Sequence, residues 1–172
     1  MKQQNSSIMT VMGSARSDGN TRLVANRFSK ISGSFMVDLN QKEISYYDYE
    51  HLNKDDDFLT LIRNFVADYD TLVLITPIYW YTMSAQLKNF LDRTSDLLTI
   101  EKDLGRQLRG KSLALISQTE GDHFEPWFAE PIRMTAEYLG MNYLGHKHVS
   151  IENNKISPEM EKRLAELFHT IE

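Results

Sequence analysis

The residues of this chain best suited to chemistry fall in three short segments. The first reads Gly13-Ser14-Ala15-Arg16-Ser17-Asp18-Gly19-Asn20-Thr21. Glycines allow close backbone approach, hydroxyls and amides donate hydrogen bonds, and Arg16 supplies a cation just before a helix start, whose free N–H groups favour an anion. That composition suits a phosphate group. It is not a Walker A loop, which needs Gly and Lys where Asp18 and Gly19 stand, nor G-x-G-x-x-G, because position 15 is Ala. An ordinary strand-to-helix turn with a cap would use the same residue types. The second segment, Thr76-Pro77-Ile78-Tyr79-Trp80-Tyr81-Thr82-Met83-Ser84, sets three aromatics behind a proline. They would stack on a planar heteroaromatic ligand, or else serve as core or subunit-contact aromatics. The third, Gln118-Thr119-Glu120-Gly121-Asp122-His123, offers polar groups to the edge of a ring, and is equally consistent with plain solvent exposure.

Much other chemistry is excluded. With no Cys among 172 residues, there is no disulfide, thiolate nucleophile, Cys-ligated zinc or Cys-ligated iron–sulfur cluster, so redox chemistry needs a borrowed cofactor. The five histidines form no H-E-x-x-H. His146 and His148 share a strand face and read as packed or solvated residues rather than a metal pair, and no metal site is expected. His123 is a candidate substrate contact, or a plain loop histidine. The triplet Asp55-Asp56-Asp57 reads as the cap of a helix beginning near Asp57. A formal charge of −5 without a basic run argues against a nucleic-acid partner. The start carries one positive charge and no long apolar stretch, and the most apolar run, Thr71 to Tyr81, is broken by Thr76 and Pro77 and too short to span a bilayer. No membrane association is expected, and a cytoplasmic location is.

The elements that must position these segments alternate along the chain. Ile8–Met12, Thr71–Ile75 and Leu113–Ile116 are nearly continuous apolar runs, the pattern of strands covered on both faces. Phe35 to Leu39 and Tyr143 to Ser150 supply two more strands. Helices are predicted over Thr21 to Ser32, Asp57 to Tyr69, Ser84 to Leu98, Pro131 to Leu139, and from Pro158 onward, where Ser157 caps and Met160, Leu164, Leu167, Phe168 and Ile171 share a face. Strict alternation predicts one α/β domain over residues 1–172: a five-stranded parallel sheet of order 2-1-3-4-5 with helices on both faces. Such sheets bind ligands at the carboxyl ends of their strands, where the winding reverses, and all three segments fall there.

Gly13-Ser14-x-Arg16-x-x-Gly19-Asn20-Thr21, together with Thr76-Pro77-Ile78-Tyr79-Trp80 running into Ser84-Ala85-Gln86-Leu87-Lys88-Asn89-Phe90-Leu91-Asp92-Arg93, resembles the flavodoxin-like NAD(P)H-dependent FMN reductase and quinone oxidoreductase superfamily. The resemblance runs from about Ile8 to Ser150. It implies a three-layer flavodoxin-like fold in which Ser14, Arg16, Gly19, Asn20 and Thr21 hold the FMN phosphate. Pro77, Ile78, Tyr79 and Trp80 would line the isoalloxazine, with Gln118, Thr119 and Gly121 at its pyrimidine edge. Lys88 and Arg93 are read as pairing with Asp92 or Asp96 and bracing the loop.

The implied activity passes hydride from NAD(P)H through FMN to a small acceptor such as a quinone, free flavin, azo or nitro compound. The flavin carries the chemistry, so no catalytic side chain is required. The rivals are a flavodoxin-type electron carrier that docks a redox partner, and a flavin-free binding module on the same fold. A homodimer or homotetramer is expected, with Tyr46–His51 and Phe124–Phe128 offering surface aromatics. The stretch Glu43–His51 holds no cysteine, which excludes the iron–sulfur branch.

Overall fold

A computed structural model of the chain describes residues 7–121 and 123–172. Strands β1 (Ile8–Met12), β2 (Phe35–Asp38), β3 (Thr71–Pro77), β4 (Ser112–Glu120), β5 (Asn142–Glu152) and β6 (Lys155–Ile156) alternate with α1 (Asn20–Ser32), α2 (Asp57–Asp68), α3 (Ala85–Asp92), α4 (Asp96–Thr99), α5 (Lys102–Arg106), α6 (Glu130–Tyr138) and α7 (Pro158–Ile171). The sheet order is β2-β1-β3-β4-β5-β6. The first five strands are parallel, as the alternation predicts, and β6 is antiparallel to β5. The sixth strand is a correction to the expected five. Its turn, Asn153-Asn154, has φ of 50° and 57°, the left-handed pair that a two-residue hairpin demands and that asparagine tolerates best among residues with a side chain.

The apolar strands alternate between two cores. Leu72, Leu74, Leu113 and Leu115 point toward Phe58, Phe65, Phe90 and Ile132. Val73, Ile75, Ala114 and Ile116 point toward Val24, Phe28, Leu164 and Leu167. Each run is continuous because both faces of the sheet are covered. Among the described residues, no helix is long and apolar enough to cross a membrane.

The helix expected over Ser84 to Leu98 is broken. It runs as α3, a 3₁₀ turn over Arg93–Ser95, and α4, and the short α5 that follows was not anticipated. Thr94 and Thr99 turn their hydroxyls back onto the carbonyls of Leu91 (2.6 Å) and Ser95 (2.9 Å), local bonds that compete with a regular helix. Arg93 adds to the distortion by reaching Asp96 (2.9 Å) and, across the fold, Asp56.

The packing of α5 on α4 hangs on Gly105, where an added Cβ would lie 2.3 Å from the Leu97 carbonyl oxygen. In an open helix Gly→Ala stabilises by about 1 kcal/mol, but here the clash is with backbone. Gly105→Ala is therefore expected to destabilise by about 1–3 kcal/mol, read as a lower urea midpoint; a raised midpoint would show that α5 shifts freely.

Candidate functional site

The three segments meet at the carboxyl ends of β1, β3 and β4. The Gly13 N–H donates to the Ile75 carbonyl (2.8 Å), and the chain passes so close to α3 that a Cβ on Gly13 would lie 2.8 Å from Leu87 Cβ and 3.0 Å from its backbone nitrogen. Ser84 locks the first two segments together. Its hydroxyl donates to the Gly13 carbonyl (2.8 Å) and caps α3 at the Leu87 N–H (3.2 Å), while its own N–H donates to Thr76 Oγ1 (3.0 Å). The third segment is tied in by Gln118, whose carbonyl accepts from the Ile78 N–H (3.0 Å) and whose side-chain oxygen accepts from the Thr21 hydroxyl (3.3 Å). Asn20 Nδ2 donates to Glu120 Oε1 (3.4 Å).

Between them lies a cleft of about 400 Å³. A hollow of about 460 Å³ beside Lys54 and Glu101 is as large, so chemistry rather than volume distinguishes the site. At the floor of the cleft α1 starts at Gly19 with no side-chain cap and no acidic residue in its first turn. Its leading N–H groups are left for an anion. The Arg16 side chain is exposed and has no carboxylate partner among the described residues, whereas Arg22 is held by Asp38 and the Ser17 carbonyl (2.7 Å). A Cβ on Gly19 would stand 3.1 Å from Arg16 Nη2, so the glycine leaves that guanidinium its place. A phosphomonoester fits these donors.

The wall opposite is a tight turn in which Tyr79 N–H donates to the Thr82 carbonyl (2.9 Å) and Thr82 N–H to the Tyr79 carbonyl (3.0 Å). Trp80 and Tyr81 have φ of 48° and 67°, conformations normally left to Gly and Asn. Large aromatics there store strain of about 1–3 kcal/mol each. Tyr81→Gly is accordingly expected to raise stability by about 1 kcal/mol in urea unfolding while weakening whatever the turn binds. Loss of stability would mean that Tyr81 packing outweighs the strain.

A family model for NADPH-dependent FMN reductase matches residues 6–155. The chain belongs to the NADPH-dependent FMN reductase family. It is 32% identical over 95 residues to the NADPH azoreductase of Bacillus sp. (strain OY1-2), a match covering 55% of this chain and 53% of that protein, about half its length. Among solved structures, the Trp repressor binding protein from Bacillus subtilis superposes with a TM-score of 0.73 at 20% identity, covering 93% of this chain and 96% of the other. FerB, a flavoenzyme NAD(P)H:(acceptor) oxidoreductase from Paracoccus denitrificans, gives a TM-score of 0.67 at 14% identity, covering 96% and 97%. The fold is thus flavodoxin-like, and FMN and a nicotinamide nucleotide are the cofactors of the family.

In this FMN reductase family member, Ser14, Arg16, Gly19, Asn20, Thr21, Pro77, Ile78, Tyr79, Gln118 and Thr119 all line the cleft. Trp80 and Gly121 stand outside its lining: Trp80 is 92% exposed at the tip of the turn, and Gly121 lies beyond the end of β4. The apolar run predicts a strand ending at Ile116, but β4 continues to Glu120, so Gln118 and Thr119 stand on a strand, where flanking strands hold them. Glu120 also lines the cleft; its place next to Thr119 was the available signal. His123 is exposed with Nε2 3.7 Å from Glu125 and does not line the cleft. Asp122 lies outside the described residues.

Lys88 pairs with Asp92 (2.5 Å) on the surface, and Arg93 braces the segment between β2 and α2. Asp56 caps α2 at the Phe58 N–H (3.0 Å). Of the expected surface aromatics, Tyr46, Tyr49 and Trp127 are exposed, but Phe128 is buried and Phe124 stacks on His148 with ring centroids 4.6 Å apart. Inward packing on the sheet outweighs exposure for those two rings. His146 and His148 hold Ser117 between them, and among the described residues no group of three or more His, Cys, Asp or Glu could hold a metal ion.

Proposed function

We propose that this chain forms one FMN-binding domain and catalyses NAD(P)H-dependent, FMN-mediated reduction of a small acceptor such as a quinone, free flavin, azo or nitro compound. The observation that carries the reading is the pairing, in one cleft, of a helix N-terminus without a side-chain cap and an arginine that has no carboxylate partner among the described residues with a strained aromatic turn. Ser14, Arg16, Gly19, Asn20 and Thr21 would hold the phosphate. Pro77, Ile78, Tyr79 and Trp80 would flank the ring, with Gln118, Thr119 and Gly121 toward its pyrimidine edge. Bound FMN supplies hydride acceptance and donation. The protein's share is orientation: buried Thr76, Ser84 and Gln118 fix the three segments relative to one another, and the anion is met by donors already in place, so little reorganisation is needed on binding.

The test is anaerobic titration of the purified protein. Expected are flavin absorbance, release of FMN on denaturation, and bleaching by NADPH or NADH. Colourless protein that cannot be reconstituted with FMN would overturn the reading, and bleaching only by a protein reductase would make the chain an electron carrier. We further infer a cytoplasmic homodimer or homotetramer, which sedimentation would show; a monomer would have to build the whole site from one chain.

A further inference from the structure

The turn that carries Arg16 is held from behind by residues with no part in the reading above. Arg22 Nε donates to the Ser17 carbonyl (2.7 Å), and Nη2 of the same guanidinium pairs with Asp38 Oδ2. Its Nη1 lies 3.7 Å from Met36 Sδ, so every nitrogen of the group is engaged. The other carboxylate oxygen of Asp38 accepts from the Asn40 N–H (3.0 Å), and Asn40 Nδ2 donates to Ser17 Oγ (3.3 Å). The bonds close a circuit that begins and ends on Ser17. Asp38 is its fixed point: it is buried at the end of β2 and pairs across the sheet with Met12, the last residue of β1.

Arg22 stands against the usual rule for its position. With Gly19 at the cap it is the third residue of α1, where an acidic or amide side chain is favoured and a cation opposes the helix dipole. A guanidinium placed there needs an anion, and the buried Asp38 carboxylate meets it. Arg22 does not line the cleft, whereas Arg16 does. Of the two arginines flanking the turn, one is tied into the sheet and the other is left for the ligand.

Ser17 sits between groups that the reading gives to the phosphate, with Arg16 directly before it and Gly19 shortly after. It is gripped at its carbonyl by α1 and at its hydroxyl by the end of β2. Its peptide to Asp18 is trans, so a carbonyl turned to Arg22 sends the Asp18 N–H the opposite way. The segment from Gly13 to Gly19 is irregular, and an irregular segment loses conformational freedom when a ligand orders it. Anchoring it before the ligand arrives removes that cost.

We propose that Arg22, Asp38 and Asn40 are positioning residues for the FMN phosphate. They hold the Ser17 peptide so that Arg16 and the α1 N-terminus meet the phosphate together, and none of the three touches it; none lines the cleft. The proposal rests on the FMN reading. The circuit serves only a ligand that carries the phosphate, so it favours FMN over riboflavin through a turn it shapes rather than through a contact it makes.

The test is fluorescence titration of FMN and of riboflavin at low and high salt. The double variant Arg22→Gln with Asp38→Asn removes the pair together, so no buried carboxylate is stranded and the net charge is unchanged. FMN binding is expected to weaken about tenfold or more, the cost of ordering the turn and its side chains on binding, with riboflavin binding nearly unchanged. Salt should weaken FMN binding by the same factor as in the wild type, because Arg16 still supplies the charge. Asn40→Ala leaves the Arg22–Asp38 pair whole and tests the circuit even if the double variant does not fold. Loss of one neutral hydrogen bond predicts FMN binding about two- to tenfold weaker. Ser17→Ala removes the other half of the same bond, so the two changes together should cost no more than either alone. Unchanged FMN binding in Asn40→Ala, additive losses with Ser17→Ala, or equal losses for riboflavin would each overturn the proposal. So would a smaller salt effect in the double variant, which would make Arg22 itself a phosphate contact. A wild type that binds no FMN removes the FMN reading as well and is recognised before any variant is made, whereas a wild type that binds FMN no better than Asn40→Ala defeats the positioning role alone.

Discussion

Replacing Arg93 with Met is expected to destabilise the fold by about 3–5 kcal/mol, the typical cost of removing one partner from a buried ion pair. Arg93 is fully buried, and its guanidinium donates to Asp96 (2.9 Å), Asp56, the Ser45 carbonyl (3.1 Å) and the Asn53 carbonyl (3.4 Å) while lying 5.0 Å over the Phe58 ring. Asp96 is equally enclosed at 1% exposure and also contacts His51 Nδ1 (3.0 Å). Removing the cation strands two carboxylates, and leaves the segment from Glu43 to Asp57 with fewer anchors: Asn89 Nδ2 on the Ile44 carbonyl (2.8 Å), and Asp56 and Asp57 on the Ser45 and Glu43 N–H groups (2.9 Å each). Urea unfolding of Arg93→Met should show the loss, and the triple variant with Asp56→Asn and Asp96→Asn should recover part of it, because the stranded charges are then gone. A loss below about 1 kcal/mol would place Arg93 with ordinary surface ion pairs.

The same pair gives a pH dependence of known sign. Burial works against the Asp56 charge, but hydrogen bonds from Arg93 and from the Phe58 and Ser45 N–H groups prevail and hold its carboxyl below the usual range. A carboxylate whose pKa is lowered by folding contributes its full stability above the unfolded value near 4, and loses it as pH falls through the lowered folded value. The gap between wild type and Arg93→Met should therefore shrink in acid, and a gap independent of pH would deny the linkage.

Arg16→Ala is expected to weaken FMN binding roughly ten- to hundredfold, the equivalent of about 1.5–3 kcal/mol for a hydrogen bond to a charged group, while leaving riboflavin binding nearly unchanged. The guanidinium is poised beside the α1 N-terminus with no carboxylate among the described residues to neutralise it, and riboflavin has no phosphate for it to meet. The comparison is made by fluorescence titration of both ligands, and the FMN loss should narrow in high salt as the charge is screened. Arg16→Lys should restore the charge but not the planar fork. Equal losses for FMN and riboflavin would make Arg16 a structural residue.

The sequence by itself determined the alternation of strands and helices, the order β2-β1-β3-β4-β5, and the three segments that converge on the cleft. Those features are local. A strand covered on both faces needs an unbroken apolar run, as at Thr71–Ile75, and a phosphate-binding turn needs its glycines and donors within a few residues. The absence of cysteine had the same directness, since it leaves the redox chemistry to a cofactor.

Only the tertiary structure decided where helix Ser84 to Leu98 breaks, because Arg93 is drawn partly toward Asp56, far away in sequence and brought near by the packing of α2. It alone decided that Phe124 and Phe128 turn inward and that Trp80 stands at the outer tip of its turn. It also decided where His146 and His148 lie. Ser117 pairs in register with His148, and a β-bulge at Leu144 sets the face on which both histidines lie. Strand register and bulges are settled by competition between the two cores for side chains, a contest between distant parts of the chain that no local pattern records.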